Sequence, residues 1–200
     1  MDQNETAKLI VKRDLPLETR TALPDPLRLL LAEFPRADWA RHGNFDGLVA
    51  FWLDRHLAFR QMTADMTAQT QALLNGRTDP QVFALRLARQ GSQFLDHLHG
   101  HHQIEDAHFF PALSLAEPKL ARGFDLLEED HLAIDRHLAG FVTSANTLLT
   151  GWRAAATLTP AAGGFLGSLE GITALLDRHL TDEEELVVPV ILRHGPDHFG

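Results

Sequence analysis

The sequence of 200 residues contains no cysteine and no tyrosine. Without cysteine the chain has no disulfides, thiolate nucleophiles, cysteine-ligated zinc sites or iron–sulfur clusters, and without tyrosine it has no phenolate ligand. Long apolar stretches are also missing, since no run approaches the roughly 18 residues that a membrane-spanning helix needs. Positive charge is scarce as well, because 18 Lys and Arg face 27 Asp and Glu, for a formal charge of −9.

These absences restrict the partners and the location that we expect. A chain this acidic is unsuited to neutralising phosphates, so we expect it to bind neither nucleic acid nor an anionic membrane. Residues 1–5 are polar and acidic, which predicts no secretory leader, and we expect a cytoplasmic protein. What the chain has in excess is histidine, with 12 residues, and this excess needs an explanation.

Proline, glycine and capping residues divide the chain into helical segments, and no useful length alternates as a strand would. Residues 1–43 are predicted to form an N-terminal arm packed on the rest, with a short helix that starts at Asp25-Pro26 and stops before Pro35. Four long helices are predicted after it, over about residues 45–74 and 79–110, from between Ser114 and Pro118 to about 150, and over about 159–193. Short loops favour antiparallel neighbours, so the predicted fold is all-α: an up-down-up-down antiparallel four-helix bundle over residues 44–195, with a tail at 196–200.

Two of the predicted helices repeat one pattern of histidine and carboxylate. His101 precedes Glu105 by four residues and His179 precedes Glu183 by four residues, and each glutamate precedes a proline by six. Residues four apart lie on one helix face, about 6 Å apart along the axis. Counting residues from the adjoining loops places His56 and His131 at the level of these pairs. Each long helix therefore offers a histidine at one height.

Four histidines and two glutamates exceed the four ligands of one tetrahedral zinc ion, and they suit two metal ions. Imidazole and carboxylate donors favour Fe, Zn or Mn. Each glutamate can bridge both ions while the histidines bind at the ends. Ferritin-like di-iron bundles instead use Glu-x-x-His with additional glutamates, so the reversed order and spacing of four argue against that class.

Four segments together resemble the hemerythrin-like family, also called the HHE cation-binding domain, over roughly residues 45–193. The matching segments are Trp52-Leu53-Asp54-Arg55-His56, His101-His102-Gln103-Ile104-Glu105-Asp106 running into Phe110-Pro111, Glu128-Glu129-Asp130-His131 and His179-Leu180-Thr181-Asp182-Glu183-Glu184. The resemblance implies a non-haem di-iron site inside a four-helix bundle, with two iron ions that are oxo- or hydroxo-bridged when oxidised. It implies that the terminal ligands are His56, His101, His131 and His179, and that the bridging ligands are Glu105 and Glu183.

The resemblance also implies a protein that binds or senses O2, another small diatomic molecule, peroxide, redox state or iron. One departure bears on this function. Oxygen-carrying members supply two histidines four residues apart from the third helix, but here the residue four after His131 is Asp135. One iron therefore lacks a terminal histidine unless His102 or Asp135 substitutes. A coordination shell with one protein ligand fewer favours sensing, redox or regulatory roles over reversible oxygen transport.

Two other functions remain open on the same residues. An open coordination position permits a di-metal oxidase, peroxidase or NO-handling enzyme, but the sequence shows no general acid–base pair beyond the ligands, so we favour a binding protein. A zinc or manganese site with a structural role is the other.

Three further expectations concern the surroundings of the site and the assembly. We expect His97 to contact the ligands from outside the metal site or to form an access gate, and the acidic residues around Glu183 to face solvent. We expect the protein to be a monomer or homodimer.

Overall fold

The computed structural model of the protein describes residues 15–45 and 47–199, and within them the structure is helical with no strand. The apolar run Leu9-Ile10-Val11 lies outside the described residues. The α-helices are α1 Leu29–Glu33, α2 Gly47–Leu74, α3 Pro80–Ile104, α4 Phe110–Ala116, α5 Ala121–Gly151 and α6 Ala155–His194. One turn of π-helix, Glu105–Phe109, here called the π-turn, joins α3 to α4. Short 3-10 helices cover Asp25–Leu27, Arg36–Arg41, Pro118–Leu120 and Pro196–His198.

The start of α3 follows the predicted cap, whereas its end differs from the prediction. The Asp79 side chain accepts hydrogen bonds from the backbone N–H groups of Gln81 and Val82, as an N-cap residue does. The helical path was predicted to end near Pro111, but it continues to Ala116. The π-turn explains this, because Pro111 then occupies the first turn of a new helix, where a missing N–H costs little.

The helix α6 begins at Ala155, about one turn before the predicted start at Pro160. The hydroxyl of Thr157 donates to the carbonyl oxygens of Gly151 at 2.8 Å and Ala154 at 2.9 Å. These bonds tie the added turn to the end of α5. The predicted start was too late because local hydrogen bonds of Thr157 with residues just before it, and not the proline, set where this helix begins.

The four long helices contact one another in a closed ring, as the helices of a bundle do. The helix α2 packs against α3 and α6, and α5 packs against the same two helices. Leucine and phenylalanine side chains fill the interior in two buried clusters. One contains Phe59, Phe94, Phe141 and Phe165, and the other contains Trp52, Phe110, Phe124 and Leu127. A layer of buried polar side chains separates these two clusters, and each of the four long helices contributes to it.

The described part of the arm lies on the outside of this ring and reaches both clusters. Leu17 packs into the first cluster, and Leu23, Leu30 and Trp39 pack into the second. The helix α1 contacts α6. Among the described residues, no helix is both long enough and apolar enough to cross a membrane.

Candidate metal centre

The six residues singled out by the sequence meet in the polar layer between the two apolar clusters. His56 comes from α2, His101 from α3, His131 from α5 and His179 from α6. Glu105 opens the π-turn after α3, and Glu183 lies one turn after His179. All are buried except His101, whose side chain is 13% exposed. Turns of π-helix often occur at functional sites, and here the turn begins at a buried carboxylate.

The donor atoms divide into two groups, and each group is compact enough to hold one metal ion. Within each group the donor atoms lie within 4.8 Å of one another. The first group, here called site A, consists of His102, His131 and His179. The second, here called site B, consists of His56, His101, Glu105 and Glu183.

Both glutamates have one oxygen beside each site. For Glu105, Oε1 lies 2.9 Å from Nε2 of His101 in site B, and Oε2 lies 3.6 Å from Nε2 of His131 in site A. For Glu183, Oε1 lies 3.4 Å from Nε2 of His56, and Oε2 lies 3.6 Å from Nε2 of His179. Each carboxylate therefore spans the gap between the two sites, which is the placement that a bridging ligand requires.

Several donor atoms of the two sites are buried without a hydrogen-bond partner in the described part of the chain. They are Nε2 of His102, His131 and His179, both carboxylate oxygens of Glu105, and Oε2 of Glu183. Leaving such atoms unpaired in the interior costs free energy. Six unpaired acceptors that converge on one pocket are accounted for if cations bind there. The residues present therefore fit a pair of metal ions.

Three of the histidines contact a carboxylate through the ring nitrogen that faces away from the pocket. Nδ1 of His131 lies 2.8 Å from Asp106, Nδ1 of His56 lies 3.0 Å from Glu184, and Nδ1 of His179 lies 3.4 Å from Asp130. A metal-binding histidine commonly donates its other N–H to a carboxylate, which fixes the tautomer and leaves Nε2 free for the metal.

The structure places His102 and Asp135, the two alternatives for the missing ligand, very differently. The His102 side chain is buried and stacks on His131 with ring centroids 3.9 Å apart, as part of site A. Asp135 is exposed and belongs to neither site. Sequence spacing alone left both open, because His102 lies about 100° around the helix from His101. In the structure, the two neighbouring histidines face different sites.

Several residues that contact the pocket were not predicted to have this position. Asp182 and Glu184 are buried, although the acidic run around Glu183 was expected to face solvent. The indole N–H of Trp52, one turn before His56, donates to Glu183. For two other carboxylates that contact the histidines, the sequence offered a clue to their position. Asp106 directly follows Glu105, and Asp130 directly precedes His131.

Three ionisable groups of the pocket, His56, His101 and Glu105, have shifted pKa values. Burial alone would lower the pKa of His56, but the carboxylates of Glu183 and Glu184 raise it to about 9. Burial lowers the pKa of His101 to about 3 despite the attraction of Glu183. Burial and the negative charge of Glu183 together raise the pKa of Glu105 well above its usual range. Metal ions bound here would displace protons from His56 and Glu105.

A cavity of about 270 Å³ opens from the protein surface toward site B. It is lined at its inner end by Trp52, His101, Glu105 and Phe109, and His97 and Gly100 lie along its wall. His97 is exposed and belongs to neither donor group. None of the three histidines of site A lines the cavity. The pocket is therefore asymmetric, with one accessible site and one enclosed site.

Comparison with known proteins places this pocket in a family. The family model described as hemerythrin HHE cation-binding domain matches residues 34–191. Neither a curated protein nor a solved structure matches the chain. Because the match covers most of the 200 residues and includes every donor of sites A and B, the chain belongs to the hemerythrin HHE cation-binding domain family.

Proposed function

We propose that this protein holds two iron ions, one in site A and one in site B, and that it binds or senses O2, another small diatomic molecule, peroxide, redox state or iron itself. The observation that carries the proposal is the position of Glu105 and Glu183, each with one oxygen beside either site. A single-ion site would not need two carboxylates that span two groups of histidines. The unpaired buried donors support the same conclusion.

The donor set is five imidazoles and two carboxylates, which suits iron, zinc or manganese. His102, His131 and His179 would hold the ion in site A, and His56 and His101 the ion in site B, with Glu105 and Glu183 shared. Iron in such a site supplies reversible electron transfer to or from a small ligand. The two glutamate charges offset part of the charge of two cations.

The protein supplies a dry and rigid surrounding for this chemistry. The apolar clusters close the pocket above and below, and Trp52 holds Glu183 through its indole N–H. The carboxylates behind His56, His131 and His179 fix the orientation of those rings. An external ligand reaches site B through the cavity, so we propose that site B is where the ligand binds.

We propose an up-down-up-down arrangement of the long helices over residues 44–195, with residues 1–43 as the arm and 196–200 as a tail. Pairs of contacting residues support opposite directions for neighbours. Between α2 and α3, His56 contacts His101 and Gln69 contacts Gln90. Between α5 and α6, a Cβ at Gly123 would touch Leu186, while Thr157 bonds Gly151.

Anaerobic loading with Fe²⁺, followed by desalting and elemental analysis, tests the proposal. We expect about two iron ions per chain and new near-UV and visible absorption on exposure to O2, because two adjacent sites would be oxidised together. Fewer than one ion per chain would contradict the proposal. Tight binding of zinc or manganese with no O2-dependent spectral change would instead support the structural alternative.

The cavity gives specific support to a second candidate, an enzyme that turns over peroxide or NO at site B. Its volume of about 270 Å³ exceeds several-fold the ~30 Å³ that a water molecule occupies in the liquid, so it admits peroxide as well as a diatomic molecule such as NO. Steady-state consumption of peroxide or NO by the iron-loaded protein would favour this candidate. A single, stoichiometric and reversible oxidation would favour binding or sensing.

The cavity also leads to a prediction about access. A Cβ at Gly100 would meet no atom within 4 Å, so Gly100→Leu starts an apolar side chain in open space at the wall of the cavity. We expect the variant to bind two iron ions with unchanged affinity but to react with O2 at least about tenfold more slowly in stopped-flow measurements. Gly140→Leu, at another open and exposed helical position, is the control. Equal rates in the two variants would show that ligands enter by another route.

A further inference from the structure

A buried arginine of the N-terminal arm contacts the polar layer from outside the four long helices. The Arg20 guanidinium forms two hydrogen bonds with Asp130, one of them from Nη1 to Oδ1 at 3.2 Å, and its Nε lies 2.8 Å from Asp182. The side chain of Arg20 is 1% exposed. A buried, forked contact of this kind fixes the carboxylate in one orientation.

The carboxylate that Arg20 fixes is the one behind a histidine of site A. Oδ2 of Asp130 accepts from Arg20 and lies 3.4 Å from Nδ1 of His179. Nε2 of His179, on the opposite side of the ring, belongs to the donors of site A. A continuous path of contacts therefore runs from the arm through Asp130 to site A.

A second arginine of the arm makes the corresponding contact with site B. Nη1 of Arg36 lies 2.6 Å from Oε2 of Glu184, and Oε1 of Glu184 lies 3.0 Å from Nδ1 of His56. Arg60 of α2 also donates to Glu184, at 2.7 Å, so Glu184 keeps one partner if Arg36 is lost. The arm thus reaches both sites, and its contact with site A is the less redundant one.

The other two arginines in the described part of the arm, Arg28 and Arg41, do not share this arrangement, so basic character alone does not explain it. Arg28 pairs with Asp25 at 2.9 Å, and Arg41 pairs with Asp38 at 2.7 Å. Both of these carboxylates are largely exposed. Arg28 also lies 3.8 Å from Glu185, which belongs to neither donor group. Arg20 itself precedes residues 34–191, the region that the family model matches.

We propose that the arm is a functional part of the metal centre, in which Arg20 and Arg36 are positioning residues that orient His179 and His56 through Asp130 and Glu184. This inference rests on the proposed two-iron function. Because coupling between two equilibria is reciprocal, docking of the arm strengthens iron binding and iron binding strengthens docking of the arm. Iron binding thereby holds residues 15–45 more firmly, so the surface that the arm presents differs between the iron-bound and the iron-free protein.

The test compares full-length wild-type protein with Arg20→Gln, Arg20→Lys and Arg36→Gln, and uses Arg28→Gln as the matched control in the arm. Fe²⁺ affinity is measured anaerobically by competition with a chelator, and the arm is followed by limited proteolysis with and without Fe²⁺. Loss of a carboxylate behind a metal-bound histidine typically weakens metal binding about 10- to 100-fold. We expect a loss in this range for Arg20→Gln, a smaller loss for Arg36→Gln, and none for Arg28→Gln.

We also expect Fe²⁺ to protect the arm from cleavage in the wild type and in Arg28→Gln, and to protect it less in Arg20→Gln. Arg20→Lys keeps the charge but not the forked hydrogen bonds, so its Fe²⁺ affinity should lie between those of the wild type and Arg20→Gln.

If Arg20→Gln fails to fold, the test uses Arg20→Lys and Arg36→Gln, since the Arg36 side chain is half-exposed. Wild-type protein that binds no iron overturns the proposed function. Wild-type protein that binds two ions, with Arg20→Lys and Arg36→Gln equal to Arg28→Gln in affinity and protection, overturns this inference alone.

Discussion

Replacing Glu105 and Glu183 together by glutamine will abolish binding of the iron pair. Glutamine keeps the shape of each side chain but removes both negative charges, which would offset the charge of the two proposed cations in a buried pocket. It also replaces one oxygen that faces a site by an NH2 group, which is a donor and not a ligand. We expect iron content after anaerobic loading and desalting to fall from about two ions per chain to less than one.

The neighbouring substitution Glu185→Gln is the control for this experiment. Glu185 lies on the same turn of α6 as Glu183 and belongs to neither donor group. We expect this variant to keep both ions. Circular dichroism of the metal-free proteins should show that all variants remain helical, since the volumes of the side chains are retained. Two tightly held ions in the double variant would disprove a bridging role for the glutamates.

The second large effect is expected at His102. Removing its imidazole by His102→Leu leaves site A with two histidines and the shared glutamates, while site B keeps all four of its donors. We therefore expect iron content to fall from about two ions to about one, with the remaining ion in site B. The affinity of that ion should fall less than the affinity at site A, because Glu105 and Glu183 still reach it.

The control for His102→Leu is Asp135→Asn, which changes the other residue that sequence spacing offered as a substitute ligand. Asp135 is exposed on α5, so this variant should keep two ions and the optical spectrum of the wild type. Elemental analysis and the spectra of reduced and O2-exposed protein distinguish the two outcomes. If Asp135→Asn and not His102→Leu lost an ion, the assignment of site A would be wrong.

Much of the candidate site follows from regular helical geometry. His101 and Glu105, and likewise His179 and Glu183, are four residues apart, which fixes their common face. The distance of His56 and His131 from the loops fixes their height, because the rise per residue in a helix is constant. These are local or nearly local quantities, so the sequence could predict that the six side chains meet. The family resemblance followed from the same residues, and the match over residues 34–191 confirms it.

The division of these donors into two sites did not follow from spacing. Whether His101 or His102 faces a given site depends on the rotation of α3 about its axis, and a rotation is set by packing against the neighbouring helices. The π-turn that begins at Glu105 adds a second effect, since it shifts the following residues around the axis, among them Asp106, which contacts His131. Stacking of His102 on His131 is therefore a result of tertiary packing.

The sequence by itself determined that this chain is helical, that it is rich in metal-binding side chains at one level, and to which family it belongs. Only the tertiary structure decided that Asp182 and Glu184 are buried and that Arg20 lies against Asp130. The physical reason is that burial of these carboxylates depends on the arm, which contacts them across more than 100 residues of chain. No helical period connects positions so far apart, and a charged run on a helix is indistinguishable from a solvated face until something packs over it.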